Sequence, residues 1–410
     1  MREELRGSIT VTQLNFIFYV LLLIMTPFLL LQNYLQTAMG IASNSMLELG
    51  AILIPWTVVI AVLLLSVLLI IVRKKLRWRH PVVLAIVLFL FWAGQQMTDF
   101  YFNHKFYELQ HNWHYIAYCG FAIVSWRFWK AKGKTTAQII GYTILFAISA
   151  STFDEIAQVP LSNRVFDVCD IAKDTYGSVV GCIVVFFLLE DGKNMPRKLK
   201  LTYPTLKGYL SDPLTLLFYE LIFAVLFIIL SSTLSEMEYF PMSFLLPAGL
   251  FILIWLVIHL MQFKFTRIVL TGLLSLAVMG LLVSFIINKD SNITYNKYGL
   301  TVYKGIPIPF LDVMIMENGT VRLVDKKHVF NKRDQQTIMT KCSDILIIGS
   351  GADGLGGRGF TESLPVQFMY NSNINGMTQI IILKTPEACR VYNRLKKEGK
   401  NVTFILHNTC

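Results

Sequence analysis

The chain has 410 residues, of which 54% are hydrophobic and only 15% charged, with a mean hydropathy of +0.55. That balance excludes an ordinary soluble domain and predicts a polytopic α-helical membrane protein. The formal charge of +11 does not signal a nucleic-acid partner, because Lys and Arg sit in short segments between apolar runs.

A spanning helix needs about 20 mostly apolar residues, and about nine runs approach that length. They lie near 14–35, 50–72, 81–98, 113–129, 136–152, 167–189, 214–234, 240–260 and 265–287. The first run is too long for a cleaved signal peptide, and no small-residue cleavage site follows it. Basic clusters follow the even-numbered runs: Arg73, Lys74, Lys75, Arg77 and Arg79; Lys130, Lys132 and Lys134; Lys193, Arg197, Lys198 and Lys200; Lys264 and Arg267. Segments 36–50 and 231–240, after odd-numbered runs, carry neither Lys nor Arg. The positive-inside rule then places the N-terminus in the cytoplasm. The cysteines show no CxxC pair and no zinc spacing, and Cys119, Cys169 and Cys182, within or beside apolar runs, read as small core residues.

The segment before the fourth run supplies His104, His111, His114 and Tyr118. His111 and His114 are three apart, a spacing that metal ligands on a helix use. Trp113 and Tyr115 beside them fit the start of a helix at a membrane interface.

Residues 151–174 carry the strongest chemical signal. Asp154, Glu155, Arg164, Asp167, Asp170 and Asp174 are packed between two apolar runs, where ionisable groups survive only if paired, hydrated or functional. On a helix over 166–189, Asp167, Asp170, Asp174, Gly177 and Gly181 share one face. The glycines form a small-xxx-small pair that lets a neighbouring helix approach closely. On the preceding helix Asp154 and Gln158 share a face, with Glu155 beside them, and Pro160 turns the chain back so that Arg164 reaches both acidic groups. Such a constellation suits a cation, a divalent metal, or a phosphate bridged by a metal. It equally suits a structural ion network that closes two helices.

The apolar pattern stops near residue 288. The domains read as 1–79 (N-terminal transmembrane helices), 80–190 (a transmembrane unit with the acidic cluster), 191–288 (further transmembrane helices), 289–309 (a linker) and 310–410 (a small soluble α/β domain). In the last, Asn318-Gly319 between 314–317 and 320–324 signals a hairpin. Residues 345–348 and 380–383 are continuous apolar runs, the mark of buried strands. Thr385 is expected to cap a helix with Pro386 at its first position, Ala388, Val391, Tyr392 and Leu395 on its inner face, and Gly399 at its end. A last strand is expected over 402–406. The glycines at 349, 351 and 354 match GxGxxG after a strand, but 355–359 does not open a helix and Lys384 stands where a ribose-binding acid belongs. A loop over the strand ends is the better reading.

Asp154, Glu155, Gln158, Arg164, Asp167, Asp170, Gly177 and Gly181 together resemble the VanZ-like family of bacterial membrane proteins, over residues of about 80–190. Gln110, His111, His114 and Tyr118 align with an upstream family element in which the His and Tyr are kept and an Asp-Lys pair is not. Asp174 stands where the family usually has Asn. The resemblance implies a cell-envelope protein of the bacterial cytoplasmic membrane, and the family's best-known member gives low-level resistance to teicoplanin. Residues 344–351 and 385–399 resemble the small domain shared with mitochondrial complex I assembly factor 3, whose members are associated with assembly or partner binding.

The resulting expectation is an envelope protein in contact with membrane lipids. It binds an anionic, lipid-linked or glycopeptide-related ligand at its outer face through His114, Tyr118, Asp154, Glu155, Gln158, Arg164, Asp167, Asp170 and Asp174, with a divalent metal at the acids. The alternative is a membrane-anchored scaffold whose tail recruits a protein partner and whose acids and Arg164 lock helices. Nine spans from a cytoplasmic start put the tail outside, whereas the domain it resembles is normally intracellular.

Overall fold

A computed structural model describes residues 10–25, 31–50, 52–72, 77–98, 109–160, 166–342, 344–360, 366–372 and 374–409. The chain forms two compact units: the first takes in most of residues 1–259, the second the segment 232–243 together with 260–410.

The first unit begins with α1 (Val11–Met25) and α2 (Leu31–Asn44). Of the run expected at 14–35, residues 14–25 lie in α1 and 31–35 in α2, and 26–30 lie outside the described residues. The run expected from residue 50 opens differently. Strands β1 (Met46–Leu49) and β2 (Ile52–Pro55) pair antiparallel, and Gly50 between them has φ +63°, a left-handed conformation that costs glycine little. The helix that follows, α3 (Trp56–Val72), begins only after this hairpin. Then come α4 (Arg79–Gln96), α5 (Leu109–Ala131), α6 (Thr136–Gln158), α7 (Val168–Ile183), the short α8 (Leu206–Ser211), α9 (Pro213–Thr233) and α10 (Phe240–Leu260). A π-helical stretch, Val184–Leu189, continues α7.

Among the described residues, five helices are long and apolar enough to cross a membrane: Thr136–Gln158, Val168–Leu189, Pro213–Thr233, Phe240–Leu260 and Lys264–Asn288. Helices suit that task because they satisfy every backbone group internally. The central one is α7, with 78% of its most apolar window buried. Ile171, Tyr176 and Val179 on it and Val185 of the π-helical stretch are fully buried, and Ile140 of α6 and Ala224 and Ile228 of α9 join them in one core. Phe16 of α1 fits into a second cluster with Phe121 and Phe128 of α5, stacking on Phe128 at 4.3 Å.

The last membrane-length helix, α11 (Lys264–Asn288), opens the main part of the second unit. None of its most apolar window is buried within the protein, the pattern of a surface solvated by lipid rather than by protein. The segment expected to be a linker is folded instead. Residues 293–309 form a three-stranded antiparallel sheet, β3 (Ile293–Lys297), β4 (Leu300–Tyr303) and β5 (Ile306–Pro309). Two-residue turns with Gly299 (φ +76°) and Lys304-Gly305 (φ +48° and +75°) connect them, and such left-handed pairs suit hairpins. The α11 residue Ser284 donates to the carbonyl of Gly305, and a Cβ on Gly305 would lie 2.3 Å from the Ser284 carbonyl oxygen.

The tail domain holds β6 (Asp312–Ile315), β7 (Val321–Val324), α12 (Lys332–Met339), β8 (Ile345–Gly349), β9 (Val366–Asn371), β10 (Gly376–Leu383), α13 (Thr385–Lys397) and β11 (Val402–Leu406). The expected hairpin is β6–β7, with Gly319 at φ +82°. The six strands lie in the order β7-β6-β11-β8-β10-β9, with β8 parallel to both β10 and β11. Successive side chains of a strand point to opposite faces, so Leu346 and Ile348 enter one core with Ile338 of α12 while Ile345 and Ile347 enter another with Ala388 and Tyr392 of α13. This is why those strands read as continuous apolar runs: both faces are covered. Thr385 does not cap α13 as expected. Lys384 takes the cap position without a side-chain bond, and the Thr385 hydroxyl donates to the carbonyl of His407 while accepting from the Gly351 N–H.

Candidate functional site on helices α5, α6 and α7

Helix α7 starts where the sequence places its acids. Asp167 is its N-cap, accepting from the Cys169 N–H at 2.8 Å, and an acid suits that electropositive end. Asp167 was expected among the ligand-binding residues; one of its carboxylate oxygens serves the helix start.

From there the expected face forms, and it is turned toward α5. Asp174 is nearly fully buried and accepts from two helices: His114 Nδ1 of α5 lies 3.0 Å from Oδ1, and Ser151 Oγ of α6 donates to Oδ2 at 2.6 Å. One turn earlier, Asp170 Oδ1 lies 3.6 Å from His114 Nε2 and 3.1 Å from Lys173 Nζ. His114 thus stands between two carboxylates, one at each ring nitrogen.

One turn later the glycines bring the backbones together. A Cβ on Gly177 would lie 2.9 Å from Tyr115 Cα, and one on Gly181 would lie 2.6 Å from Ala122 Cβ and 2.8 Å from the Cys119 carbonyl oxygen. The close approach predicted from the small-xxx-small pair is therefore to α5. It is this approach that carries His114 to the acids.

Helix α6 brings the remaining groups. Glu155 is buried and accepts from the backbone N–H of Asp167 at 2.8 Å, tying the end of α6 to the start of α7. Gln158 Nε2 donates to Asp154 Oδ2 at 3.2 Å and to Glu155 Oε1 at 3.4 Å. The other oxygen of Asp154, Oδ1, is buried without a hydrogen-bond partner among the described residues, and the buried Tyr118 hydroxyl faces Ser151. Tyr118, Asp154 and Asp174 lie within electrostatic reach of one another.

Of the residues singled out by sequence, His114, Tyr118, Asp154, Glu155, Gln158, Asp170 and Asp174 are thus drawn to the contact of three helices. Arg164 lies outside the described residues, as does His104. Two participants were not foreseen, Lys173 and Ser151. Both were legible: Lys173 is three residues after Asp170, and Ser151 is three before Asp154, on the face that also bears Gln158.

The cationic ends of this unit are paired too. Arg77 bonds Asp191, His80 lies 3.4 Å from the same carboxylate, and Lys130 bonds Glu190. Part of the basic clustering in the sequence therefore ties α4 and α5 to the end of the π-helical stretch.

Three or more potential metal ligands within 4.8 Å of one another occur, among the described residues, at Glu236, Glu238 and His328, and not at the α6–α7 acids. At the acids each carboxylate instead takes its own donors, save for the open oxygen of Asp154.

No protein-family model and no curated protein matches this sequence. Among solved structures the chain is similar to one named MT938, at 23% identity and a TM-score of 0.22, over 29% of this chain and 98% of that one.

Proposed function

We propose that this is a cell-envelope membrane protein of the VanZ-like kind that binds an anionic, lipid-linked ligand where α5, α6 and α7 meet. The observation that carries the reading is a buried carboxylate oxygen without a hydrogen-bond partner among the described residues, Asp154 Oδ1. A buried polar atom without a partner costs about 1–3 kcal/mol, and a site that accepts that cost is prepared for something that supplies a bond. Tyr118 donates to an anionic headgroup, and Arg164 with His114 attracts it. A divalent cation against the open oxygen of Asp154 bridges the remaining negative charge. The protein lies in the bacterial cytoplasmic membrane with nine spans and a cytoplasmic N-terminus.

The test is native mass spectrometry of the full chain in mild detergent, with Asp154→Asn and Arg164→Ala. A polyprenyl-phosphate-type adduct is expected on the wild type and absent from both variants, with the thermal midpoint of Asp154→Asn within about 2 °C of wild type because Asp154 Oδ1 makes no bond that the change removes. Equal adduct on all three would sink the reading.

A second reading has its own observation. Glu155 holds the α7 backbone, and His114 and Ser151 hold Asp174, a lock that a membrane-anchored scaffold needs as much as a binding site does. On that reading Asp154→Asn retains full function, whereas deleting residues 310–410 abolishes it through loss of a protein partner.

The side of the membrane follows from crossing parity. Between the acidic segment and the tail lie four membrane-length helices, Val168–Leu189, Pro213–Thr233, Phe240–Leu260 and Lys264–Asn288, and an even number of crossings returns the chain to the side it left. The basic segment 193–200 lies one crossing away and marks the cytoplasm. The tail is therefore outside, however many spans precede residue 136. In agreement, the turn after α9 bonds the tail: Lys326 N–H donates to the Thr233 carbonyl at 2.9 Å. A membrane-impermeant maleimide is expected to label Asp353→Cys in intact cells above the wild-type background and Lys193→Cys only after lysis, both sites being exposed. The reverse pattern would place the tail in the cytoplasm.

A further inference from the structure

The turn between α9 and α10 carries two acids, Glu236 and Glu238, and both point at one histidine of the tail domain. His328 Nδ1 lies 2.6 Å from Glu236 Oε2 and 3.4 Å from Glu238 Oε1. Its backbone N–H donates to the other oxygen of Glu236 at 2.6 Å, so that carboxylate is oriented from two sides. Tyr239 packs beside the imidazole, with ring centroids 6.4 Å apart.

Charge makes this arrangement incomplete as it stands. A single imidazole nitrogen carries one proton at most and cannot donate to two carboxylates at once. Among the described residues neither glutamate has a Lys or Arg partner; nearby Lys327 is turned to Asp334 at 2.9 Å and to Asp325 at 4.0 Å. Three ligand atoms, one from each of Glu236, Glu238 and His328, lie within 4.8 Å of one another, close enough to share one cation.

We propose that Glu236, Glu238 and His328 bind a divalent ion of the zinc class. One nitrogen and two carboxylate oxygens form a borderline ligand set, which suits Zn2+ or Mn2+ better than the all-oxygen preference of Ca2+ and Mg2+. With bonds of about 2.0–2.2 Å, tetrahedral ligand atoms stand about 3.3 Å apart. The Glu238 distance already has that value, and Glu236 needs to retreat by about 0.7 Å. Three protein ligands leave a position for water, as in sites that exchange or use their metal. Here the ion fastens the turn at 236–238 to the segment 325–328, which the Thr233–Lys326 and Ser235–Asp325 hydrogen bonds already join.

The experiment uses the full chain in detergent, stripped with chelator and then titrated with Zn2+, with metal content measured after gel filtration and thermal unfolding recorded with and without the ion. The wild type is expected to retain one equivalent and to unfold at a higher temperature when loaded. Glu238→Gln is expected to bind at least about tenfold more weakly and to lose the metal-dependent shift. Glu238 is half exposed and bonds no backbone group, so this variant keeps its fold, as its chelated unfolding midpoint will show. Asp154→Asn is expected to bind Zn2+ like the wild type, which separates this site from the α6–α7 acids. Retention unchanged in Glu238→Gln, no retention in the wild type, or preference for Ca2+ or Mg2+ over Zn2+ would each overturn the assignment.

Discussion

Replacing Gly181 with alanine is expected to separate α5 from α7 and to lower stability by about 1–3 kcal/mol, the usual cost of overpacking a filled interior. The added Cβ would stand 2.6 Å from Ala122 Cβ and 2.8–2.9 Å from the Cys119 backbone. Backbone atoms cannot move aside as a flexible side chain does, so the helices themselves must part. Gly181→Val is expected to cost more and Gly177→Ala about as much, since Gly177 faces the Tyr115 backbone at 2.9 Å. Because the same contact brings His114 to Asp170 and Asp174, the functional loss is expected to exceed the loss of folded protein. Thermal unfolding in detergent measures the first effect and adduct retention the second. A Gly181→Ala protein with unchanged unfolding and full adduct would show that the close approach is dispensable.

The second large effect is expected in the tail. Register explains the site: Leu406 pairs with Val313 across β11 and β6, so the next residue, His407, falls beside Asp312. Both are fully buried. His407 Nδ1 lies 2.8 Å from Asp312 Oδ2, Lys326 Nζ lies 3.1 Å from Oδ1, and the Asn408 N–H donates to the same oxygen at 2.8 Å. Burial by itself would raise the Asp312 pKa, but the His407 hydrogen bond and the charges of His407 and Lys326 outweigh it and hold the carboxyl below the usual carboxylate range.

Asp312→Ala leaves the buried Lys326 ammonium without its carboxylate and is expected to destabilise the tail by about 3–5 kcal/mol. Changing Lys326 to Met as well is expected to restore much of that loss, because the stranded charge goes with it. The pH dependence has a definite sign. A carboxyl with a lowered folded pKa contributes stability above its unfolded value, about 3.9, and loses it as pH falls through the folded value. Acid is therefore expected to open β6 and β11 below about pH 4 in the wild type, with a weaker dependence in Asp312→Asn. Hydrogen exchange of residues 312–315 and 402–406 reads both effects. Equal protection in the wild type and Asp312→Ala would remove the buried pair from the account of stability.

Composition and period alone determined much of this protein. Runs such as 213–233, 240–260 and 264–288 can be nothing but membrane-length helices, because lipid and protein interior demand the same apolar side chains over the same length. The tail strands were equally plain, since Ile345–Ile348 is apolar on both faces and both faces are covered by helices. The shared face of Asp170, Asp174, Gly177 and Gly181 follows from the 3.6-residue period and needs no coordinates.

Tertiary structure decided what lies across from that face. Sequence spacing is blind to the partner helix, so α5 as the neighbour, and His114 between Asp170 and Asp174, emerged only from packing. That Asp167 caps the start of α7 through one carboxylate oxygen also came only from the structure. Residues 293–309 looked like a linker because short polar strands have a weak signal, and their pairing rests on turns at Gly299 and Gly305. The convergence of Glu236 and Glu238 on His328, some 90 residues away in the chain, had no local signal at all: long-range contacts are made by the fold, and only the fold records them.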